Sequence, residues 1–173
     1  MNAPLDWSYR VREIPEAGLR ETRSATADER ASVSAALEIV SCEELATRFD
    51  IRATGKGHYR LAGNVAAKLT QTCGVTLEPI PQTAEGSFDV EFWPAGSLPE
   101  QGEDEVEALS AAEIEPIEHG LIDAGRIVFE ALSANVDPYP RKAGAEFQSD
   151  TIDDPEASAG GAFAALQKLK DRG

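Results

Sequence analysis

The stretch that decides the fold is residues 45–69, LATRFDIRATGKGHYRLAGNVAAKL, which has the pattern of two β-strands joined by a tight turn. Large apolar residues occupy odd-numbered positions on both sides of the turn: Leu45, Phe49, Ile51, Tyr59, Leu61, Val65 and Leu69. Because successive side chains of a strand point to opposite faces, this alternation predicts a hairpin with one buried face. Residues 55–57, Gly-Lys-Gly, supply the turn, since glycine tolerates the backbone that short hairpin loops need.

Other segments extend the predicted sheet. A strand near the N-terminus is indicated by apolar residues at alternate positions, namely Leu5, Trp7, Tyr9 and Val11. Another is indicated by Phe88, Val90 and Phe92, and it ends at Pro94. We expect a short further strand over residues 115–117. Since short connections join the central strands, the sheet is predicted to be antiparallel.

Two helices are predicted beside the sheet. Thr26 and Glu29 fit a capping box, which starts a helix over residues 27–39. Asp123 is a plausible N-cap for a second helix, whose apolar stripe is Phe129, Leu132 and Val136. That helix must end before residues 137–140, where two prolines enforce extended backbone. The sequence therefore predicts an α+β fold, with two main helices and an antiparallel sheet that is either open or barrel-like.

The domain organisation follows from changes in composition. Residues 1–147 are predicted to form one α+β domain, with an acidic loop at about 95–113 that is poor in large apolar residues. Residues 148–173 are predicted to be a flexible linker and a short amphipathic tail helix, whose apolar side carries Phe163, Leu166 and Leu169. Such a tail would dock either on a partner or back on its own domain.

Charge is the strongest signal in the composition of the 173 residues. There are 16 Lys and Arg against 31 Asp and Glu, a net charge of −15, and residues 71–125 contain no Lys or Arg at all. This balance argues against a nucleic-acid binder that works through its whole surface, and no DNA partner is expected. No targeting or membrane-spanning segment is visible, so we expect a cytoplasmic protein in which Cys42 and Cys73 are reduced thiols.

Catalysis has little support in the sequence. The chain lacks the G-x-S-x-G, Walker, G-x-G-x-x-G and H-E-x-x-H motifs. His58 and His119 have no partner at a suggestive spacing and are interpreted as ordinary surface histidines. The run Glu103-Asp104-Glu105 is either a solvated acidic loop or a weak cation site. We therefore expect no enzymatic activity, no metal and no cofactor.

The hairpin also carries a set of basic residues, all at even-numbered positions: Arg48, Arg52, Lys56, Arg60 and Lys68. If the strands contain no bulge, these cations lie on the face opposite the apolar set. Such a face could bind RNA phosphates, or it could only keep the outside of the sheet soluble. A bulge would move residues on one side of it to the other face.

A second candidate binding segment is the run Asp137-Pro138-Tyr139-Pro140-Arg141-Lys142. Its prolines stiffen the backbone, Tyr139 offers a stacking surface, and Arg141 and Lys142 can reach a phosphate or an acidic partner. The alternative is that the prolines only terminate the preceding helix.

Three segments together resemble the YceD-like family of large ribosomal RNA subunit accumulation proteins. They are QTCGVTLEP at residues 71–79, the stretch 122–130 and the run 137–142 that leads to Gly144 and Phe147. The resemblance covers residues 5–147, and the tail 163–170 is similar to the ending of one bacterial branch. It implies a non-enzymatic role in making or retaining large-subunit ribosomal RNA.

This chain departs from the family at one position. Many members have Cys-x-x-Cys at the position of Cys73 and have been described as possible metal binders, whereas here Thr76 stands where the second cysteine would be. One thiol cannot hold a structural zinc in the usual way, so the metal is not carried over. We expect hydrogen bonding and packing around Thr76 to hold the turn instead.

Two hypotheses remain from these observations. In the first, the protein assists assembly of the large ribosomal subunit and contacts precursor RNA through Arg48, Arg52, Arg60 and Lys68, with Tyr139, Arg141 and Lys142 as a second group. In the second, it is an acidic adaptor that binds a ribosomal protein or recruits an RNA-processing enzyme. An enzyme is the least supported interpretation.

Overall fold

The computed structural model describes residues 4–97 and 113–146. In chain order, the helices and strands of this part are β1 (Ser8–Arg10), β2 (Leu19–Ser24), α1 (Ala27–Ala36), β3 (Ser41–Gly55), β4 (His58–Thr72), β5 (Pro79–Pro94), β6 (Glu113–Ile117), β7 (Leu121–Asp123) and α2 (Ala124–Asn135). The chain divides into two compact units, Met1–Ala143 and Gly144–Gly173, and all of these elements belong to the first.

The predicted hairpin is confirmed as β3 and β4, which pair antiparallel with Ile51 opposite Leu61. They form the centre of a five-stranded sheet in the order β2-β3-β4-β5-β6, and β5 pairs antiparallel with β4. The α+β class is therefore confirmed.

Of the two alternatives left by the sequence, the sheet is open and not barrel-like, because β2 and β6 are its two edges and do not pair with each other. One feature differs from expectation: the sheet is not fully antiparallel, because β6 runs parallel to β5, with Val90 opposite Glu113. A parallel neighbour cannot be joined by a tight hairpin turn, so β5 and β6 do not form a second hairpin.

The edge strand β2 was not predicted, because two of its three inward positions, Glu21 and Arg23, are polar and only Leu19 is apolar. Glu21 and Arg23 are both half-buried on the inner side. The Arg23 guanidinium lies 4.9 Å from the centre of the Trp7 ring, and it donates to the Tyr9 hydroxyl at 3.4 Å. Arg23 thus packs its cation on the Trp7 ring at a position where an alternating strand pattern would have an apolar side chain.

The core lies between the sheet and the two helices. Apolar residues at odd positions of β3 and β4 are almost completely buried, as predicted: Leu45, Phe49, Ile51, Leu61, Val65 and Leu69. Helix α1 packs on β3, and α2 packs on β4 and β5. Gly86 of β5 allows α2 to come close, since a Cβ there would lie 2.6 Å from Asn135 Nδ2 and 2.8 Å from the Ala131 carbonyl oxygen. One face of the sheet is therefore covered by the helices.

The N-terminal segment closes the core at the start of α2. Leu5 and Trp7 are buried, although the predicted strand 5–11 shrinks to β1, which pairs with β7 in a separate two-stranded sheet. The Gly125 N–H donates to the Trp7 carbonyl oxygen at 3.1 Å. Trp7 Nε1 donates at 2.7 Å to Glu29 near the start of α1. This segment therefore joins the first turns of both helices.

The helices begin as predicted. Thr26 and Glu29 form the capping box of α1, and the Asp123 carboxylate accepts from the N–H of Arg126 at the start of α2. Helix α1 ends at Ala36, three residues earlier than expected, because Glu38 turns into the left-handed region with φ of 54°. Within residues 4–97 and 113–146, no helix is long and apolar enough to cross a membrane.

Two other predictions fall mainly outside the described residues. Of the acidic loop at 95–113, the structure describes only a 3₁₀ turn at Ala95–Ser97 and Glu113 in β6. The linker and tail helix over 148–173 lie wholly outside it and stay predictions.

Candidate functional site

The predicted cations of the hairpin share one exposed surface. We call this surface the outer face: the side of the five-stranded sheet away from α1 and α2, on which Arg48, Arg52, Arg60 and Lys68 are all exposed. Register shifts occur only near the ends of the β3–β4 pair, between Cys42 and Glu44 and between Ala53 and Gly55. The even-odd separation therefore holds over the stretch between them.

Most of these cations are paired with acids. The Arg60 guanidinium binds the Asp89 carboxylate with two hydrogen bonds, and these bonds hold the pKa of Asp89 below its ordinary value. The other two pairs join Lys68 Nζ to Glu44 Oε2 at 2.8 Å and Arg52 Nε to Asp50 Oδ2 at 3.0 Å.

The outer face is nearly neutral as a whole. Five bases and six acids lie on it: Arg20, Arg48, Arg52, Arg60 and Lys68 against Glu43, Glu44, Asp50, Glu85, Asp89 and Glu91. Arg20 was missed with the rest of β2. A face of this balance exerts little long-range attraction on RNA, so any binding must come from close contact.

Arg48 differs from Arg52, Arg60 and Lys68 because it makes no ion pair with any described residue. It lies opposite Asn64, with Thr22 on the other side. Ala46 and Ala66 are small, and the surface here forms a shallow depression of about 350 Å³. A free guanidinium beside an amide and a hydroxyl can form hydrogen bonds to a phosphate or a base edge.

An aromatic pair lies at the hairpin end of the outer face. The rings of His58 and Trp93 stack with centroids 4.3 Å apart and planes at 11°. Trp93 Nε1 donates to Glu91 Oε2 at 2.9 Å, which orients the indole. The next pair of β3 and β4 on this face is Arg52 with Arg60. From the sequence, His58 was interpreted as an ordinary surface histidine and Trp93 had no predicted role, because their adjacency depends on the register of β4 and β5.

The second predicted group lies on what we call the proline strap, residues 137–142. The strap is held at the end of β4, where Gln71 Nε2 donates to the Asp137 carbonyl oxygen and the Gly74 N–H donates to the Pro140 carbonyl oxygen, both at 2.9 Å. Tyr139 is 80% exposed. The strap is thus fixed to the domain rather than being only a helix terminator.

The two groups of predicted residues do not converge. Lys68, the outer-face cation nearest to the strap along β4, precedes Cys73 by five residues, or roughly 16 Å of extended strand. Lys142 is also occupied, because its ammonium pairs with Glu78 at 2.8 Å. Arg141 is exposed and makes no ion pair with a described residue.

Cys73 anchors the strap from inside the turn that follows β4. Its buried sulfur accepts from the N–H groups of Thr76, Lys142 and Val75 at 3.3–3.5 Å. The Thr76 side chain and these N–H groups lower the pKa of Cys73 to about 6. The expectation that hydrogen bonding around Thr76 holds the turn is confirmed.

The residues around Cys73 do not fit a structural metal. Thr76 offers a hydroxyl where a second thiolate would be needed, and the described ranges contain no group of three or more His, Cys, Asp or Glu side chains placed to hold an ion. The sulfur is stabilised by amide hydrogens instead.

Near β7, a cleft of about 420 Å³ contains His119 beside Glu115, Asp123 and Arg126. Arg126 bridges Glu115 and Glu130 at 2.9 Å, and Asp123 caps α2. The carboxylates Glu115 and Asp123 therefore already have structural partners, and the cleft shows no paired nucleophile and base among the described residues.

Comparison with known proteins bears on these surfaces. The family model described as large ribosomal RNA subunit accumulation protein YceD matches residues 61–170, which is 110 of the 173 residues. The chain belongs to the YceD family. The resemblance predicted from the sequence is thereby confirmed, and membership connects the chain with large-subunit ribosomal RNA accumulation and ribosome biogenesis. Neither a curated protein nor a solved structure matches the chain.

The YceD match covers the two candidate surfaces unequally. It includes Lys68, the Cys73 turn, α2 and the proline strap, but it begins after Arg48, Arg52 and Arg60. The family is described by a role in RNA accumulation and not by a reaction, and ribosome-related partners fit that role.

Proposed function

We propose that this YceD-family chain supports accumulation of large-subunit ribosomal RNA in the cytoplasm without catalysis, by contacting precursor RNA through the outer face. The observation that carries the proposal is the His58–Trp93 stack next to the Arg52–Arg60 cross-strand pair. Proteins that hold single-stranded RNA combine aromatic platforms for bases with cations for phosphates.

The ion pairs of the outer face do not stand in the way of this contact. Arg60 and Asp89 are both about half exposed, and exposed pairs contribute only ~0–1 kcal/mol. A phosphate can replace the carboxylate at small cost, because it offers the guanidinium the same two-oxygen geometry. The strongly acidic remainder of the chain repels RNA and so limits contact to this face.

The test is charge reversal at the carrying pair. We expect Arg52→Glu combined with Arg60→Glu to abolish co-sedimentation of the tagged protein with immature large-subunit particles and to remove its ultraviolet crosslinks to their RNA. The matched control is Arg10→Glu with Arg12→Glu, the same charge change at exposed positions in β1 and the 3₁₀ turn that follows it. Unfolding curves report whether both variants fold. Equal association of the two folded variants would refute the outer face as the RNA contact.

A second candidate function is the acidic adaptor, which the net charge of −15 and the neutrality of the outer face favour. It binds a ribosomal protein or an RNA-processing enzyme through residues 95–118 or the tail. Neutralising Glu103, Asp104 and Glu105, or deleting residues 161–173, should then weaken capture of a purified basic ribosomal protein. The Arg52→Glu, Arg60→Glu variant should capture it as well as the unmodified protein does.

A further inference from the structure

A separate cavity lies behind the proline strap, on the part of the domain where both helices end. It has a volume of about 360 Å³ and is walled by the segment after α1, the end of β4, the last turn of α2 and the strap. We call it the strap cavity. None of the outer-face cations lines it, so it is a different surface from the proposed RNA contact.

The walls of the strap cavity are negative. Leu37 is the C-cap of α1 and Val136 is the C-cap of α2, and neither helix has a basic residue in its last turn. The free carbonyls of a helix C-terminus act as a partial negative charge, of about half an elementary charge per helix. The side chains of Glu38 and Asp137 add two carboxylates to the same walls. All four contributions favour a cation.

The nearby basic residues do not neutralise the cavity. Lys142 is paired with Glu78, and neither Lys142 nor Arg141 lines the walls. The polar side chains that do line it are uncharged or acidic, including Thr72 and Ser133.

Gln71 gives independent support for a missing ligand. The residue is only 6% exposed, and its side chain reaches from β4 to the strap, where Nε2 donates to the Asp137 carbonyl oxygen in the cavity wall. The other end of the amide, Oε1, has no hydrogen-bond partner among the described residues. Buried amide oxygens are normally satisfied, so an unpartnered one at a cavity wall indicates a place for a donor from outside.

Exposed apolar residues adjoin the segments that wall this negative cavity. The large apolar residues that stand out as exposed in the described ranges are Val40, Leu77 and Tyr139. Val40 follows the α1 segment that forms one wall, and Tyr139 belongs to the strap. Leu77 belongs to the turn that the Gly74 N–H ties to Pro140. Exposed apolar residues gathered at one end of a domain mark an interaction surface.

We propose that the strap cavity receives a lysine or arginine side chain from a basic segment of a partner protein, whose neighbouring apolar residues cover Tyr139 and Leu77. The ammonium or guanidinium donates to Gln71 Oε1 and is stabilised by Glu38, Asp137 and the two helix C-termini. This binding goes beyond RNA contact by the outer face and does not depend on it.

The test uses the full chain labelled with ¹⁵N and two synthetic peptides, acetyl-Gly-Leu-Lys-Phe-Gly-amide and the same peptide with glutamine in place of lysine. We expect the lysine peptide to shift amide resonances of residues 37–39, 71–72, 133–137 and 139, and the glutamine peptide to leave them in place. Glu38→Gln with Asp137→Asn should weaken the Kd of the lysine peptide at least fivefold. The amide that Asp137→Asn introduces retains an oxygen that can accept the Tyr139 N–H, so the strap should keep its shape.

Three controls separate this site from its alternatives. Glu85→Gln removes one negative charge from the outer face and should leave the Kd unchanged; weakening equal to that of the cavity variant would show only general attraction of charge and overturn the proposal. No shift at millimolar peptide, or preferential displacement of the same resonances by tetrauridylate, would also overturn it. The Arg52→Glu, Arg60→Glu variant should bind the peptide normally, so loss of RNA contact and loss of this site are distinguishable.

Discussion

The substitution Gly125→Ala sets two opposing effects against each other at the start of α2. Alanine in place of glycine within a helix ordinarily stabilises a protein by about 1 kcal/mol. Here, however, the new Cβ would lie 2.2 Å from the Leu5 carbonyl oxygen and 2.9 Å from the Trp7 nitrogen. Both are backbone atoms, so neither can rotate away, and the N-terminal segment must retreat from α2.

The cost of that retreat exceeds the gain in helix propensity. Leu5 and Trp7 are 0% and 1% exposed. Exposing an apolar side chain of this kind costs about 1.5–3 kcal/mol, and overpacking without full displacement costs about 1–3 kcal/mol. Loss of burial at both side chains costs about 3–6 kcal/mol, so after subtraction of about 1 kcal/mol for helix propensity we expect Gly125→Ala to lower the free energy of unfolding by about 2–5 kcal/mol.

Urea unfolding followed by far-ultraviolet circular dichroism measures this change. Gly74→Ala is the matched control, because the nearest atom to its Cβ would be the Pro140 carbonyl oxygen at an ordinary 3.7 Å. We expect that variant to stay within ~0.5 kcal/mol of the unmodified protein, as surface changes usually do. A Gly125→Ala protein that is more stable than the unmodified one would refute the close approach between α2 and the N-terminal segment.

Three further outcomes are expected. Thr26→Ala removes half of the capping box and should lower the free energy of unfolding by about 1 kcal/mol in urea titrations, with no loss contradicting the cap. Glu38→Gly should raise it by about 1 kcal/mol, because glycine takes the left-handed backbone without strain, whereas Glu38→Ala should not. Cys73 should titrate near pH 6, and burial should keep the pKa of Cys42 above the ordinary thiol value, when thiolate absorbance at 240 nm is followed in single-cysteine variants. The pKa of Cys73 is lower in the folded protein than in the unfolded chain, so its contribution to stability is full above pH 9 and is lost as the pH falls through 6. Thr76→Val should raise the pKa of Cys73. An unchanged titration would argue against the Thr76 contact.

The alternation rule predicted the centre of the fold because both strands of the hairpin have one face in the core. Residues 45–69 carry this signal without interruption, and the register shifts fall near the ends of the pair. The rule failed at β2, where only Leu19 of the three inner residues is apolar and the other two are Glu21 and Arg23. It also could not reveal that β6 joins the sheet in parallel, since pairing direction depends on the path of the chain and not on the pattern within a strand.

The sequence predicted which basic residues lie on the outer face, but not that most of them are paired with acids. The even-numbered positions of Arg60 and Lys68 predicted that both side chains lie on one face of the sheet. Their acidic partners, Asp89 for Arg60 and Glu44 for Lys68, lie on the neighbouring strands, and only the strand register brings each pair together. The link between Cys73 and Lys142 spans 69 positions and has no local signal in the sequence. For the same reason, the strap cavity could not be seen before the fold was known.

The pairing of Ser8 with Asp123 imposes an order on folding during synthesis. The two strands are 115 positions apart, so β1 has no partner until β7 has been made. At ~5–20 residues per second, the N-terminal segment waits for roughly 6–23 s while β3, β4 and β5 are already available to pair. Until then, the contacts of Leu5 and Trp7 with Gly125 of α2 cannot form, whereas Trp7 can already meet Arg23 and Glu29.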